Sequence, residues 1–337
     1  MSELSTKFPK QLIDRFGRVV DYVRISVTDR CDFRCVYCMD EKMEFLPRER
    51  ILTLEELHKV AIAFTELGVR KIRLTGGEPL VRKDVLSLVE KLGKLPELEE
   101  LVITTNGSQL PSMAKSLREA GVKRLNISLD SLKVDKFKSL TRTGDLQNVL
   151  KGIDSAIDAG FDNIKLNAVI LRNRNEDEVL DLVKYSGDKG LDISFIEEMP
   201  LGVIGDHDRA EAYYSSDQIK ADLENHYTLI PTPEKTAGPS KYFRVHETGT
   251  KVGFISPHSH NFCDDCNRVR LTVEGRLLLC LGQEHSVDLK QVLRSSPGDI
   301  DALKSAIVAS MEIKPKGHDF DLAEKPLIFR HMSHTGG

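Results

Sequence analysis

The six cysteines of this chain fall into two sets of three. Cys31, Cys35 and Cys38 lie within "RCDFRCVYCMD" with the spacing C-x3-C-x2-C, and Tyr37 stands between the last two. Cys263 and Cys266 form a C-x2-C pair, with Cys280 following later. Clustered thiols in a reducing compartment point to metal or catalysis rather than to disulfides. Structural zinc takes four closed ligands, and no fourth ligand stands beside the first set. Three thiolates instead suit a cubane iron–sulfur cluster with one iron left open to a non-protein ligand. The second set alone leaves two readings open, because His258 or His260 could complete a Cys3His zinc site. Beside the first set, a second three-thiolate iron–sulfur site is the stronger of the two.

Further residues with chemical potential sit in stretches that read as strands. Arg24, Arg73 and Lys165 interrupt β-branched runs, and Thr104 stands in another. Parallel strands covered on both faces should be nearly all apolar, so repeated cations there suggest a charged interior site. Arg268 and Arg270 are two residues apart on a strand-like segment and therefore share a face, with Val269 between them. In "TGGEPL" (75–80) two glycines allow close backbone approach, and a proline fixes the exit.

The elements that must position these groups follow a βα rhythm. Candidate strands are 21–28, 71–77, 101–106, 123–130, 163–170 and 191–200, with helical stretches between them. Thr53 and Glu56 form a capping box, and Gly68 marks the stop of that helix. The first thiol set follows the first strand, at the edge where active sites of parallel α/β folds gather. The rhythm predicts an α/β fold, either a partial (β/α)6 TIM-like barrel or an open doubly wound sheet. After residue 201 it breaks into loop and one more helix over 215–227. Beyond the Pro- and Gly-rich 230–241 come two hairpin-like segments, two helices and a polar tail. This reads as a core over 1–240 and a smaller α+β C-terminal region over 241–337 that bears the second thiol set.

A chain of 337 residues with net charge −4 has no basic footprint for nucleic acid. No apolar run is long enough to span a membrane. The polar N-terminal segment lacks a signal-peptide core, so a cytoplasmic setting is expected.

With these motifs in place, the chain resembles the radical S-adenosylmethionine (radical SAM) enzymes through C-x3-C-x2-C and "TGGEPL". The "CNRVRL" stretch, Cys280 and the terminal Gly-Gly narrow the resemblance to the radical SAM family that cyclises GTP in molybdenum cofactor biosynthesis. The resemblance spans nearly the whole chain and implies the partial barrel, two 4Fe–4S clusters, S-adenosyl-L-methionine and a homodimer. It implies that Cys31, Cys35 and Cys38 ligate one cluster and Cys263, Cys266 and Cys280 the other. It places Tyr37, Gly77, Ser128 and Met199 at the SAM site, and Arg24, Arg73, Thr104, Lys165, Arg268, Val269 and Arg270 around GTP. Arg268, Arg270 and the tail residues Gly336 and Gly337 are the expected catalytic positions. The family pattern carries a basic residue where this chain has Ser194, which leaves one phosphate arm without a match.

The implied reaction starts with reductive cleavage of SAM, continues by hydrogen abstraction at ribose C3′, and closes a C3′–C8 bond. No side chain stands out as general acid or base. A flavodoxin or ferredoxin is the expected electron donor, and cyclic pyranopterin synthase the expected downstream partner. The rival expectations are another radical SAM enzyme, acting on peptides, and a zinc-bound scaffold without catalysis.

Overall fold

A computed structural model describes residues 7–202, 204–205, 207–234, 238–320, 328 and 330–335. Six parallel strands appear in chain order: β1 (Tyr22–Ser26), β2 (Lys71–Thr75), β3 (Glu100–Thr105), β4 (Arg124–Ser128), β5 (Ile164–Val169) and β6 (Asp192–Ile196). Five of the expected runs contain one of them whole, and β3 begins one residue before the run expected at 101–106. Between them lie α1 (Leu54–Glu66), α2 (Val85–Leu92), α3 (Leu110–Glu119), α4 (Val134–Thr141), α5 (Leu146–Asp158) and α6 (Val179–Asp188). The Thr53–Glu56 capping box starts α1, and Gly68 takes φ +92° just past its end. α7 (Ser216–Glu224) follows the rhythm break, capped by Ser215.

The later strands join the same sheet. β7 (Leu229–Pro231), β8 (Lys241–Val245) and β9 (Lys251–Ile255) form an antiparallel set, as do β10 (Arg268–Leu271), β11 (Arg276–Leu278) and β12 (Ser286–Asp288). Both expected hairpins are present. β9 then pairs parallel with β6 at one flank, and β10 pairs parallel with β1 at the other. The order is β12-β11-β10-β1-β2-β3-β4-β5-β6-β9-β8-β7, so eight neighbouring strands run parallel.

Alternation along each strand separates two environments. Val23 and Ile25, Ile72 and Leu74, Leu101 and Ile103, and Leu125 and Ile127 pack with Val60, Phe64, Leu88, Leu117, Val149 and Ile153 of the helices in one apolar core. The other face presents Tyr22, Arg24, Arg73, Thr104, Asn126, Lys165, Asn167, Ser194, Arg268 and Arg270. Apolar burial on the helix side holds the strands in place, which leaves the opposite face available for chemistry. Among the described residues, no helix is long and apolar enough to cross a membrane.

Candidate active site

The thiol loop leaves β1 and is fixed by hydrogen bonds at several points. Asp32 accepts from Asn106 Nδ2 and Ser108 Oγ, each at 2.6 Å, which ties it to the end of β3. Arg142 Nη1 donates to the carbonyls of Arg34 and Met39, both at 3.0 Å. The Phe33 ring meets Phe137 of α4 edge-on at 5.9 Å. Tyr37 Oη donates to Asp130 Oδ2 at 2.7 Å, and Val169 N–H donates to Asp130 Oδ1 at 2.9 Å. Burial pushes the Asp130 carboxyl up to about 6 despite these two donors.

The glycines of "TGGEPL" have a more specific task than flexibility. Gly77 N–H donates to Thr28 O at 2.8 Å, and Glu78 N–H to Arg30 O at 2.8 Å. A Cβ on Gly77 would run into the carbonyl of Arg30, and one on Gly76 into that of Thr28. The glycines therefore let this turn lie directly on the root of the thiol loop. Glu78, fully buried, accepts from Leu80 N, Thr105 Oγ1 and Asn106 N and links the ends of β2 and β3.

Cys31, Cys35 and Cys38 border one cavity together with Tyr37, Gly77, Thr104, Ser128, Asp130 and Met199. Burial raises all three thiols, Cys38 to about 12, so none ionises at neutral pH without a positive partner. Such thiols fit an iron–sulfur group, whose irons supply that charge.

Cys263, Cys266 and Cys280 border a second cavity with Arg24, Arg73, Lys165, Arg268 and Arg270. No acidic side chain lines it among the described residues. Arg270, Arg24 and Arg73 are successive register partners on β10, β1 and β2, and Arg268 stands opposite Tyr22. Burial and then the neighbouring Arg268 hold Arg270 down at about 10, and burial with Arg270 lowers Arg24 well below the usual arginine range. Lys165 is lowered by burial and donates to Tyr242 Oη at 3.1 Å. Tyr22 is pushed up by burial, but Arg73 and its neighbours outweigh that and bring it below the usual range. Arg24 Nε, Arg73 Nε, Tyr22 Oη and both amide atoms of Asn126 are buried without partners. Mutually repelling cations and unpaired donors in one cavity call for a polyanion.

The two cavities adjoin, sharing Asn167, Ile196 and Met199. Thr104, expected with the cations, instead borders the first cavity. Val269 alternates to the apolar core, so only its backbone can face the second cavity. Gly336 and Gly337 lie outside the described residues. Ser194 is buried, with its Oγ 3.0 Å from Ser240 Oγ.

The zinc alternative at the second set finds its histidines engaged elsewhere. His258 Nε2 bonds Glu198 O at 2.9 Å, and His260 Nε2 bonds Asp217 Oδ1 at 2.8 Å. Among the described residues, no three His, Cys, Asp or Glu side chains form a group suited to a single metal ion.

Tyr22, Asn126, Asn167 and Tyr242 were not anticipated as site residues. The signal that exposed Arg24, a polar residue in a strand that should be apolar, applies equally to both asparagines. Tyr242 enters by strand pairing and gives no local signal.

The radical SAM superfamily model matches residues 25–186, and the Molybdenum Cofactor Synthesis C model matches 191–320. The crystal structure of Streptococcus suis SuiB bound to S-adenosylmethionine aligns at TM-score 0.60 with 13% identity, covering 95% of this chain and 79% of that one. The superfamily match, together with the three-thiol loop it includes, makes this a radical SAM protein. GTP 3′,8-cyclase of Pseudomonas entomophila is 60% identical, covering 98% of this chain and 99% of that one, and that of Marinobacter nauticus is 58% identical, covering 97% and 99%. The chain belongs to the GTP 3′,8-cyclase family.

Proposed function

We propose that the protein converts GTP into (8S)-3′,8-cyclo-7,8-dihydroguanosine 5′-triphosphate while SAM is cleaved to 5′-deoxyadenosine and methionine, opening molybdenum cofactor biosynthesis. One observation carries this reading: a cavity bordered by three thiols adjoins a second that combines three thiols with five cations and, among the described residues, no acid.

Cys31, Cys35 and Cys38 would hold one 4Fe–4S cluster, and Cys263, Cys266 and Cys280 the other. When bound at Cys31, Cys35 and Cys38, such a group would supply the low-potential electron that reductive cleavage of a sulfonium requires. Ser128, Met199, Tyr37 and the Gly77 turn border the space for SAM. The Gly77 amide is already bonded within the fold, so its carbonyl is the group left for a ligand. Arg24, Arg73, Lys165, Arg268 and Arg270 would bind and orient the triphosphate, leaving the guanine toward the second thiol set. Thr104 and the Val269 backbone border the substrate at its margins. Ile196 and Met199 would exclude water where the cavities meet. Positioning and charge, rather than proton transfer, are the protein's contribution. The tail with Gly336 and Gly337 would complete the site.

The eight parallel strands, with polar side chains from β10 through β5 turned to the two adjoining cavities, support a partial barrel. In this reading the core spans 1–240, and 241–337 adds the second cluster. A cytoplasmic homodimer, reduced by a flavodoxin or ferredoxin and passing its product to cyclic pyranopterin synthase, completes the proposal.

An anaerobic assay with SAM, dithionite and nucleotide tests it. 5′-Deoxyadenosine formation that depends on GTP and not on ATP is expected. SAM cleavage indifferent to nucleotide would contradict it.

A further inference from the structure

The segment after the helix Ile300–Ser310 lies against the second thiol set and brings one cation with it. Lys314 ends a short 3-10 turn over Met311–Ile313. The residue is 1% exposed, within the range of the core leucines. Its Nζ donates to Leu279 O at 2.8 Å and lies 3.6 Å from Cys266 Sγ. It forms no ion pair with a carboxylate among the described residues. A buried ammonium with one carbonyl partner is unfavourable unless an anion is close, and Cys266 sulfur is the group in reach.

The placement is enforced from outside. Arg18, paired with the buried Asp14 at 2.7 Å, donates to the carbonyls of Cys263, Pro315 and Lys316 at 2.7, 2.7 and 2.6 Å. One guanidinium thus joins the loop of Cys263 to the loop that follows Lys314. Gly317 lies beside Cys263 as well, within ordinary contact of its sulfur for any added Cβ.

We infer that Lys314 is a positioning residue for the second iron–sulfur site, donating an N–H···S bond to Cys266 that makes the bound group easier to reduce. The inference rests on the reading of Cys263, Cys266 and Cys280 as cluster ligands. Hydrogen bonds to ligating sulfur and nearby positive charge both favour the reduced, more negative state of a cluster. Arg268 and Arg270 face the same thiols but are turned to the substrate cavity. Lys314 is buried and does not line that cavity, so its contact with Cys266 is present before any substrate arrives.

The test uses the full-length chain, reconstituted anaerobically, with Cys31, Cys35 and Cys38 replaced by Ala so that only the second site contributes. Iron is counted first: roughly four per chain are expected under the cluster reading. Absence of iron there would overturn that reading and this inference with it. The midpoint potential is then measured by dithionite titration followed by EPR in this background and with Lys314→Met, Lys314→Gln and Lys314→Arg added.

Lys314→Met should move the potential to more negative values and remove one exchangeable proton coupling from the ENDOR spectrum of the reduced site. Lys314→Gln, which keeps a donor but no charge, should fall between, and Lys314→Arg should stay near the unsubstituted value. Should Lys314→Met fail to retain iron, the ordering of the Gln and Arg variants decides the matter. Variants that keep iron and share one potential would overturn the inference. They would leave Lys314 as a structural cap on Leu279.

Discussion

Arg24 and Arg270 are direct register partners on adjacent parallel strands, both buried and facing one cavity. Burial and then Arg270 lower the proton affinity of Arg24, and burial and then Arg268 lower that of Arg270. Burial and like charge oppose the charged form of both side chains and Tyr22 offsets part of that, so the pair is suited to an anionic ligand.

Replacing Arg270 by Met should therefore separate binding from stability. Loss of one charged hydrogen-bonding partner should weaken GTP binding by about 10- to 100-fold. Thermal unfolding of the ligand-free protein should shift the other way, a gain of roughly 1–4 kcal/mol from removing a buried repulsion. Iron at both thiol sets should persist. Calorimetric unfolding with and without GTP checks both signs.

Gly77→Ala should damage the first thiol set selectively. The added methyl meets the Arg30 carbonyl at the root of the thiol loop. Backbone must move to relieve it, at a cost of about 1–3 kcal/mol. Iron per chain should drop towards the amount held by Cys263, Cys266 and Cys280 alone, while iron at that second set is unchanged. Iron analysis of Gly77→Ala in a background lacking one or the other set measures this.

Much of this arrangement could be read in the chain before its fold was known. Six β-branched runs became β1 to β6 because local propensity and burial agree there. Arg24, Arg73 and Lys165 betrayed a polar interior because buried parallel strands tolerate few charges. The pairing of β10 with β1 and of β9 with β6 was not legible. It joins residues 246 positions apart at one flank, and such contacts leave no local pattern. Thr104 went to the neighbouring cavity because residue type and strand end do not specify which part of a curved face a side chain borders. The role of Gly77 was half legible: close approach was expected, but its partner is the thiol loop's own backbone.

Asp130 supplies a pH prediction. Burial raises its folded-state value from 3.8 to about 6. The folded state therefore keeps a proton that the unfolded chain releases between those values, and stability falls as pH rises through that window. The loss amounts to about 3 kcal/mol and is complete above pH 6. Asp130→Asn should remove that slope, so urea unfolding of the two proteins at pH 4 and pH 7 should differ only for the parent's decline.

Ser194→Arg should not supply a further phosphate arm. Ser194 is fully buried against Ser240, and the space beside Gly253 is already filled by Ser240 and Tyr242. An arginine there should destabilise the fold by about 1–3 kcal/mol or more through overpacking, without tightening GTP binding. Denaturant midpoints and nucleotide titration decide it.

On the proposed function, the two adjoining cavities bring the ribose of GTP to the carbon centre generated from SAM. This is tested most directly with GTP carrying deuterium at C3′. Mass spectrometry of the 5′-deoxyadenosine formed under dithionite should find the deuterium transferred to it. 5′-Deoxyadenosine formed without that label, alongside GTP consumption, would contradict the account.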